Sequence, residues 1–273
     1  RARAAIVGAE NVYDYSLGNP SIPAPDYVNQ AIRDVLAEMD SLAVHGYTTA
    51  VGDLETRKAI AKDLNERYQA EIRPEDLFIG SGAAPELCAV FSALAVPDAE
   101  ILAIAPYFPE YKPFAESAGL VFKVVPPDVP AFQINPAAVE AMLTPDTQAI
   151  IINSPNNPSG VVYTEQTLRE LGTLLKRKSE EYGHPVYIVS DEPYRELTYG
   201  CKAPFIPNIY PNTVICYSYS KSLSLPGERI GYICVPQQAE DHDVLYAAIA
   251  GAARAAGHVC APSLWQKVIA RCV

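Results

Sequence analysis

Thr213-Val-Ile-Cys-Tyr217 runs straight into Ser218-Tyr-Ser-Lys-Ser-Leu-Ser-Leu-Pro-Gly-Glu-Arg-Ile-Gly231. The first five residues are apolar enough to read as a buried strand. At its end come the hydroxyls of Ser218 and Ser220 and the amine of Lys221, with Arg229 eight residues further on. A lysine at a strand's end, beside small hydroxyl residues, can form a Schiff base with an aldehyde cofactor. An arginine brought back beside it through a Pro-Gly turn suits a phosphate, because guanidinium offers a charge-assisted fork. Lys221 with Arg229 therefore points to a phosphorylated aldehyde, of which pyridoxal 5'-phosphate is the obvious one. A surface turn with ordinary solvated charges is the plainer alternative, and short motifs of this kind often match by accident.

Outward from this stretch, short apolar runs recur at 77–79, 101–105, 120–125, 149–153, 186–190, 214–217 and 230–235. Amphipathic stretches between them predict helices near 84–95, 109–118, 135–143 and 164–182. Asn135-Pro136 and Thr164 are good helix starts. Upstream, Asp26 to Met39 has helical periodicity, with Val28, Ile32, Val35 and Leu36 on one face. His45 to Gly52 reads as a turn region, and a second helix follows from about Asp53 to Tyr68. Residues 11–25, rich in Gly, Pro, Asn and Ser, read as an extended leading segment. Strand–helix alternation over this length predicts an α/β fold with a mostly parallel central sheet flanked by helices. In such a sheet, ligands gather outside the carboxyl ends of the strands.

The 273 residues are 49% hydrophobic and 19% charged, ordinary for a globular chain with a sizeable core. A net charge of -11 argues against nucleic acid or an anionic membrane as partner. The six cysteines include no Cys-x-x-Cys pair and several sit in apolar runs. They read as reduced core residues of a cytoplasmic protein. Four histidines at 45, 184, 242 and 258 lack metal-ligand spacing, so no metal is expected. No apolar run reaches bilayer length and no signal peptide is recognisable. Ala261 to Val273 reads as a helix cut short, which predicts a trimmed chain.

Four further strand ends carry polar or aromatic chemistry. Gly80-Ser-Gly-Ala-Ala-Pro-Glu86 opens an apolar helix, and the N–H groups of Ala83 and Ala84 could meet an anion there. Tight strand–helix packing without a ligand is the alternative. Pro106-Tyr-Phe-Pro-Glu-Tyr111 offers planar aromatics that could stack on a heteroaromatic ring, or simply pack. Asn153-Ser-Pro-Asn-Asn-Pro-Ser-Gly160 is a loop by composition, with an asparagine amide available to a cofactor oxygen or a carboxylate. Asp191-Glu-Pro-Tyr194 places a carboxylate at the end of a buried strand, a costly position unless a cation such as a protonated pyridine pairs it. A cap on the next turn is the plainer role for Asp191.

In this order, these motifs resemble those of the class I/II aminotransferases, the fold-type I pyridoxal phosphate enzymes typified by aspartate aminotransferase. The resemblance runs from Leu17-Gly-Asn-Pro20 through Arg229-Ile-Gly231. It implies that Lys221 holds the cofactor as an internal aldimine and that Asp191 binds the pyridinium nitrogen. Tyr194 and Asn157 would meet the ring's O3′, and Phe108 would stack on its face. Arg229, Ser218, Ser220 and the N–H groups of Ala83 and Ala84 would hold the phosphate. Tyr47 matches a tyrosine that reaches the neighbouring subunit's phosphate, which implies a homodimer with shared active sites. Gly18 matches the backbone group that touches the substrate carboxylate, with Asn157 beside it.

The implied reaction moves an amino group from an L-amino acid, with aspartate or a broad range favoured, to a 2-oxo acid in ping-pong fashion. Lys221, Asp191 and Tyr194 would carry the catalysis. Residues 1–44 would form a segment at the active-site entrance, shared with a small domain, and residues 45–273 the cofactor-binding large domain. The family's C-terminal small domain, with its arginine for the substrate α-carboxylate, has no counterpart here, so transamination by these residues alone is not expected. A β-lyase on the same scaffold is the nearest rival, followed by an aminotransferase-like sensor module of a transcription regulator.

Overall fold

A computed structural model describes residues 2–13 and 18–273; Leu17, quoted above, lies outside them. Among the described residues seven strands form one sheet: β1 Leu77–Gly80, β2 Glu100–Ile104, β3 Val121–Val125, β4 Thr147–Asn153, β5 Tyr187–Asp191, β6 Thr213–Ser218 and β7 Gly231–Cys234. Their spatial order is β1-β7-β6-β5-β4-β2-β3. β3, β2, β4, β5 and β6 pair in parallel, whereas β7 lies antiparallel to both β6 and β1. The predicted α/β architecture with a mostly parallel sheet is what forms. All strands except β7 therefore end at the same edge.

The helices are α1 Ala2–Val7, α2 Asp26–Glu38, α3 Ser41–His45, α4 Leu54–Tyr68, α5 Ala83–Leu94, α6 Tyr111–Ser117, α7 Pro136–Glu140, α8 Glu165–Tyr182, α9 Tyr219–Ser222, α10 His242–Ala255 and α11 Ser263–Cys272. Both foreseen helix starts work as caps. Asn135 Oδ1 accepts from the Ala138 amide, and Thr164 Oγ1 from that of Thr167. Helix α8 stops at Gly183, whose φ of +77° is the left-handed conformation glycine adopts without strain. Its apolar residues Leu168, Leu171, Leu174 and Leu175 are buried at helical spacing.

Because strand side chains alternate, the sheet feeds two separate cores. Ile101, Ala103, Ala149, Ile151, Val189, Val214 and Cys216 face α5, α6 and α10. Their neighbours Leu102, Ile104, Ile150, Ile152 and Ile188 face α7 and α8. On that second side, Ile215, Tyr217, Tyr232 and Cys234 pack with α2, α4 and α11. Near-continuous burial along β2, β4, β5 and β6 is what a sheet covered on both faces requires.

Some features depart from the sequence expectation. The extended segment expected over 11–25 loses its first residue, Asn11, to the 3-10 turn Ala9–Asn11, and helices α1 and α3 were not foreseen. Helix α10 was not foreseen because it buries mainly Leu245, Ile249 and Ala253 within an alanine-rich run, so little apolar contrast marks its face.

Candidate active site

Register aligns the chemistry. Asn153 at the end of β4 lies beside Asp191 at the end of β5, Ser218 at the end of β6 beside Gly231, and Gly231 beside Gly80 at the end of β1. A cleft of about 530 Å³ opens over this edge. Lys221, Asp191, Tyr194, Asn157 and Phe108 line it, as do Ser218, Ser220, Arg229, Ala83, Ala84 and Gly18. Tyr47 does not; its side chain is 87% exposed, away from the cleft of its own chain. A larger concavity of about 970 Å³ lies between α8 and the Ile209–Asn212 segment and includes none of these residues.

Asp191 is the charged centre of the cleft floor. Tyr111 Oη donates to its Oδ2 at 2.5 Å, while Oδ1 is buried without a hydrogen-bond partner among the described residues. Burial pushes the carboxyl up to about 7, the Tyr111 hydrogen bond works against that rise, and neighbouring Glu192 adds to it. An unpaired carboxylate oxygen facing a cleft calls for a cationic N–H donor. A protonated pyridine nitrogen fits that demand.

Side-chain hydrogen bonds stitch this half of the cleft together. Asn153 Nδ2 donates to the Asp191 carbonyl at 2.7 Å, and its Oδ1 accepts from the Asn157 amide at 2.6 Å. Asn157 Nδ2 in turn reaches the Tyr194 hydroxyl at 3.4 Å. Asn156 Nδ2 donates to the Pro106 carbonyl, tying the loop after β4 to the loop after β2. Phe108 meets Tyr111 edge to face, with centroids 5.5 Å apart. Behind Asp191, Glu192 and Arg195 form a buried ion pair. The Arg195 guanidinium also donates to the Tyr232 hydroxyl and lies 4.7 Å over the Tyr217 ring. This pair fixes the turn that carries Tyr194.

The other half is made from backbone and glycine. Gly82, with φ +91°, caps α5 and leaves the first amides of that helix without intrahelical partners. A Cβ at Gly82 would lie 2.8 Å from Arg229 Nη2, so the missing side chain is what admits the guanidinium. Arg229 itself adopts φ +53°, and its Nη1 donates to the Pro226 carbonyl at 3.0 Å. Ser218 Oγ accepts from the Ser220 amide and donates to Ser220 Oγ at 2.7 Å. That cap holds the single turn α9, which presents Lys221. Free amides, two hydroxyls and a guanidinium around one glycine turn suit a phosphate. Lys221 Nζ donates to the Gly18 carbonyl, and partial burial lowers the amine from its ordinary value.

Sequence reasoning missed three residues that the structure places in or under the site. Asn153 and Tyr111 stood within the quoted strings but had been given no partner. Glu86 stood at the end of another, as the lone acid among Leu87, Cys88, Ala89, Val90 and Phe91. An acid on the apolar face of a helix was the available signal.

The family model for aminotransferase class I and II matches residues 9–273. A probable aspartate/prephenate aminotransferase of Thermus aquaticus is 33% identical over 81% of this chain and 55% of its own length. An aspartate aminotransferase of Thermotoga maritima is 34% identical over 85% of this chain and 60% of its own length. The chain thus spans little more than half the length of these curated relatives. Among solved structures, an amino transferase from Eubacterium rectale superposes with a TM-score of 0.97 at 54% identity, covering 99% of this chain and 69% of that one. The Thermotoga maritima aspartate aminotransferase structure gives 0.84 at 30% identity, covering 99% and 69%.

Proposed function

The chain belongs to the class I and II aminotransferases, whose members use pyridoxal 5'-phosphate, and on that premise we propose that the intact protein is a transaminase. It moves the amino group of an L-amino acid, aspartate first among the candidates, to a 2-oxo acid by a ping-pong mechanism. The observation that carries this reading is the buried, unpaired Oδ1 of Asp191 in the same cleft as Lys221 and Arg229. The names of the Thermus and Thermotoga relatives support the choice of aspartate.

Each side chain then has a task. Asp191 pairs the protonated ring nitrogen, and Tyr194 and Asn157 meet the ring's phenolic oxygen. Phe108 covers the ring face. Arg229, Ser218, Ser220 and the amides of Ala83 and Ala84 hold the phosphate, and Lys221 Nζ holds the aldehyde carbon. When bound, the cofactor supplies a sink for the electron pair released at the substrate's Cα. Burial lowers the Lys221 amine, so more of it is neutral at a given pH and able to take the proton from the substrate's Cα as a general base. Gly18 offers backbone to the substrate carboxylate.

Tyr47, exposed on its own chain, serves the phosphate site of a second copy in a homodimer with shared active sites. Residues 1–44 form the entrance segment and 45–273 the cofactor-binding domain. The protein works in the cytoplasm.

The test is visible absorption of the chain with pyridoxal 5'-phosphate, then borohydride reduction and peptide mapping. A protonated-imine band and a reduced adduct on Lys221 are expected. No adduct here or in a longer chain would overturn the proposal.

A further inference from the structure

Glu86 sits on the first turn of α5, 2% exposed, and among the described residues neither of its carboxyl oxygens has a side-chain hydrogen-bond partner. It does not line the cleft. Instead its head fills a slot between two glycines that face each other across the β1–β7 pair. A Cβ at Gly80 would lie 2.6 Å from Glu86 Cγ, and one at Gly231 would lie 2.6 Å from Oε1. That second point is also 3.1 Å from Gly82 Cα, the glycine that shapes the anion turn. The carboxyl therefore lies directly under the proposed phosphate cup.

Its electrostatic surroundings are few. Asp191 from β5 and Cys216 from β6 face it, Arg229 attracts it from the loop before β7, and the slot walls in β1 and β7 are glycine. A carboxylate buried there is strongly disfavoured, and the Arg229 charge and the backbone at Gly82 and Tyr217 offset that only in part. Once a dianion occupies the cup, it engages the Arg229 charge and adds its own negative field.

Resting on the phosphate site proposed above, we infer that Glu86 is a proton-linked floor of the anion cup. The carboxyl carries a proton whenever a phosphate group is held above it, and ionising it loosens the anion. Glu86 is thus a positioning residue, acting through Arg229 and the Gly82 turn.

Burial and the Asp191 charge both raise Glu86 well above the usual carboxylate range. A group raised in the folded state stabilises the fold below its unfolded value, and that stability is lost as pH rises through the folded value. The decisive comparison is the wild-type chain against Glu86→Gln, which keeps the shape and cannot ionise, with Glu86→Met as a second uncharged variant. The probe is pyridoxamine 5'-phosphate, which needs no covalent bond to Lys221, with pyridoxamine as the phosphate-free control.

From about pH 6 to about pH 9, wild-type affinity should fall about tenfold more than that of Glu86→Gln. Calorimetry in two buffers of different ionisation heat should count proton uptake by the wild type at the alkaline end and less by the variant. Without ligand, Glu86→Gln should melt about 3 °C higher near pH 8.5, a gap that closes as the pH falls. Matching pH profiles in wild type and variant, with phosphate-dependent binding in both, would sink the role of Glu86 alone. Binding of pyridoxamine 5'-phosphate no tighter than pyridoxamine would overturn the phosphate site, and this inference with it.

Discussion

The two halves of the cleft are built on different physics. On the parallel side, Asp191, Asn153, Asn157, Tyr194 and Tyr111 are held by side-chain hydrogen bonds that cross from β4 and the β2 loop to β5. On the antiparallel side, the proposed phosphate cup depends on backbone shape, with positive φ at Gly82 and Arg229 and glycines where Gly80, Gly82 and Gly231 crowd together. The first half is tuned by charge and proton position. The second is tuned chiefly by steric room, with the Glu86 carboxyl titrating beneath it. Substitutions should therefore fail differently: on the ring side by changing pH dependence at nearly constant shape, on the phosphate side by moving Arg229.

Asp191→Asn should give the largest effect. It keeps the shape and removes the charge proposed to pair the ring nitrogen. Activity of the intact protein should drop roughly a thousandfold, the scale of losing one preorganised electrostatic partner. Stability should move the opposite way. The Asp191 carboxyl is raised to about 7 in the folded chain, so its contribution is full below the unfolded value near 3.8 and is lost as pH rises through about 7. Without cofactor, Asp191→Asn should melt above the wild type near pH 8 and should lose that advantage near pH 4. Melting curves at the two pH values, set beside turnover, check both signs.

Gly82→Ala should come next. A Cβ there needs the left-handed φ of +91° and meets the Arg229 guanidinium at 2.8 Å. Since the guanidinium is the flexible partner, the chain should fold and the arginine should shift. Affinity for pyridoxal 5'-phosphate should fall about tenfold to a hundredfold, with a stability loss of about 1–2 kcal/mol from the backbone strain. Spectral titration should find the loss relative to the wild type at the same pH nearly flat, because Glu86 titrates in both chains. A steep pH dependence instead would erase the contrast between the halves.

This contrast also explains how much could be read in advance. Every strand-end motif was legible, because a polar or glycine-rich string after an apolar run is visible in one dimension, and the parallel rule places such strings at one edge. The antiparallel course of β7 escaped, although only twelve residues separate β6 from β7. A parallel return normally needs a full crossover unit, whereas this connection doubles back through Pro226-Gly227. Asn153 and Tyr111 escaped for another reason. Tyr111 meets a partner 80 positions away, and Asn153 reaches 38. Type and spacing cannot reveal such partners; only the register of the folded sheet does.

Tyr111→Phe is the smallest and sharpest of these changes. It keeps the ring, its edge-to-face contact with Phe108 and its buried volume, and removes one oxygen. That oxygen donates to Asp191 Oδ2, and its donation holds the carboxyl lower than burial alone would. Without it, the Asp191 carboxyl should rise further, so more of it is protonated near neutrality and unable to pair a cationic ring. Affinity for pyridoxal 5'-phosphate near pH 7 should fall about threefold to tenfold, consistent with a hydrogen bond to a charged group of about 1.5 kcal/mol or less. Because the cause is protonation, raising the pH should restore most of the affinity relative to the wild type at the same pH. Recovery at about pH 9 would place Tyr111 among the groups that set the Asp191 charge, whereas a loss independent of pH would reduce it to packing and leave the ring side governed by shape, like the phosphate cup.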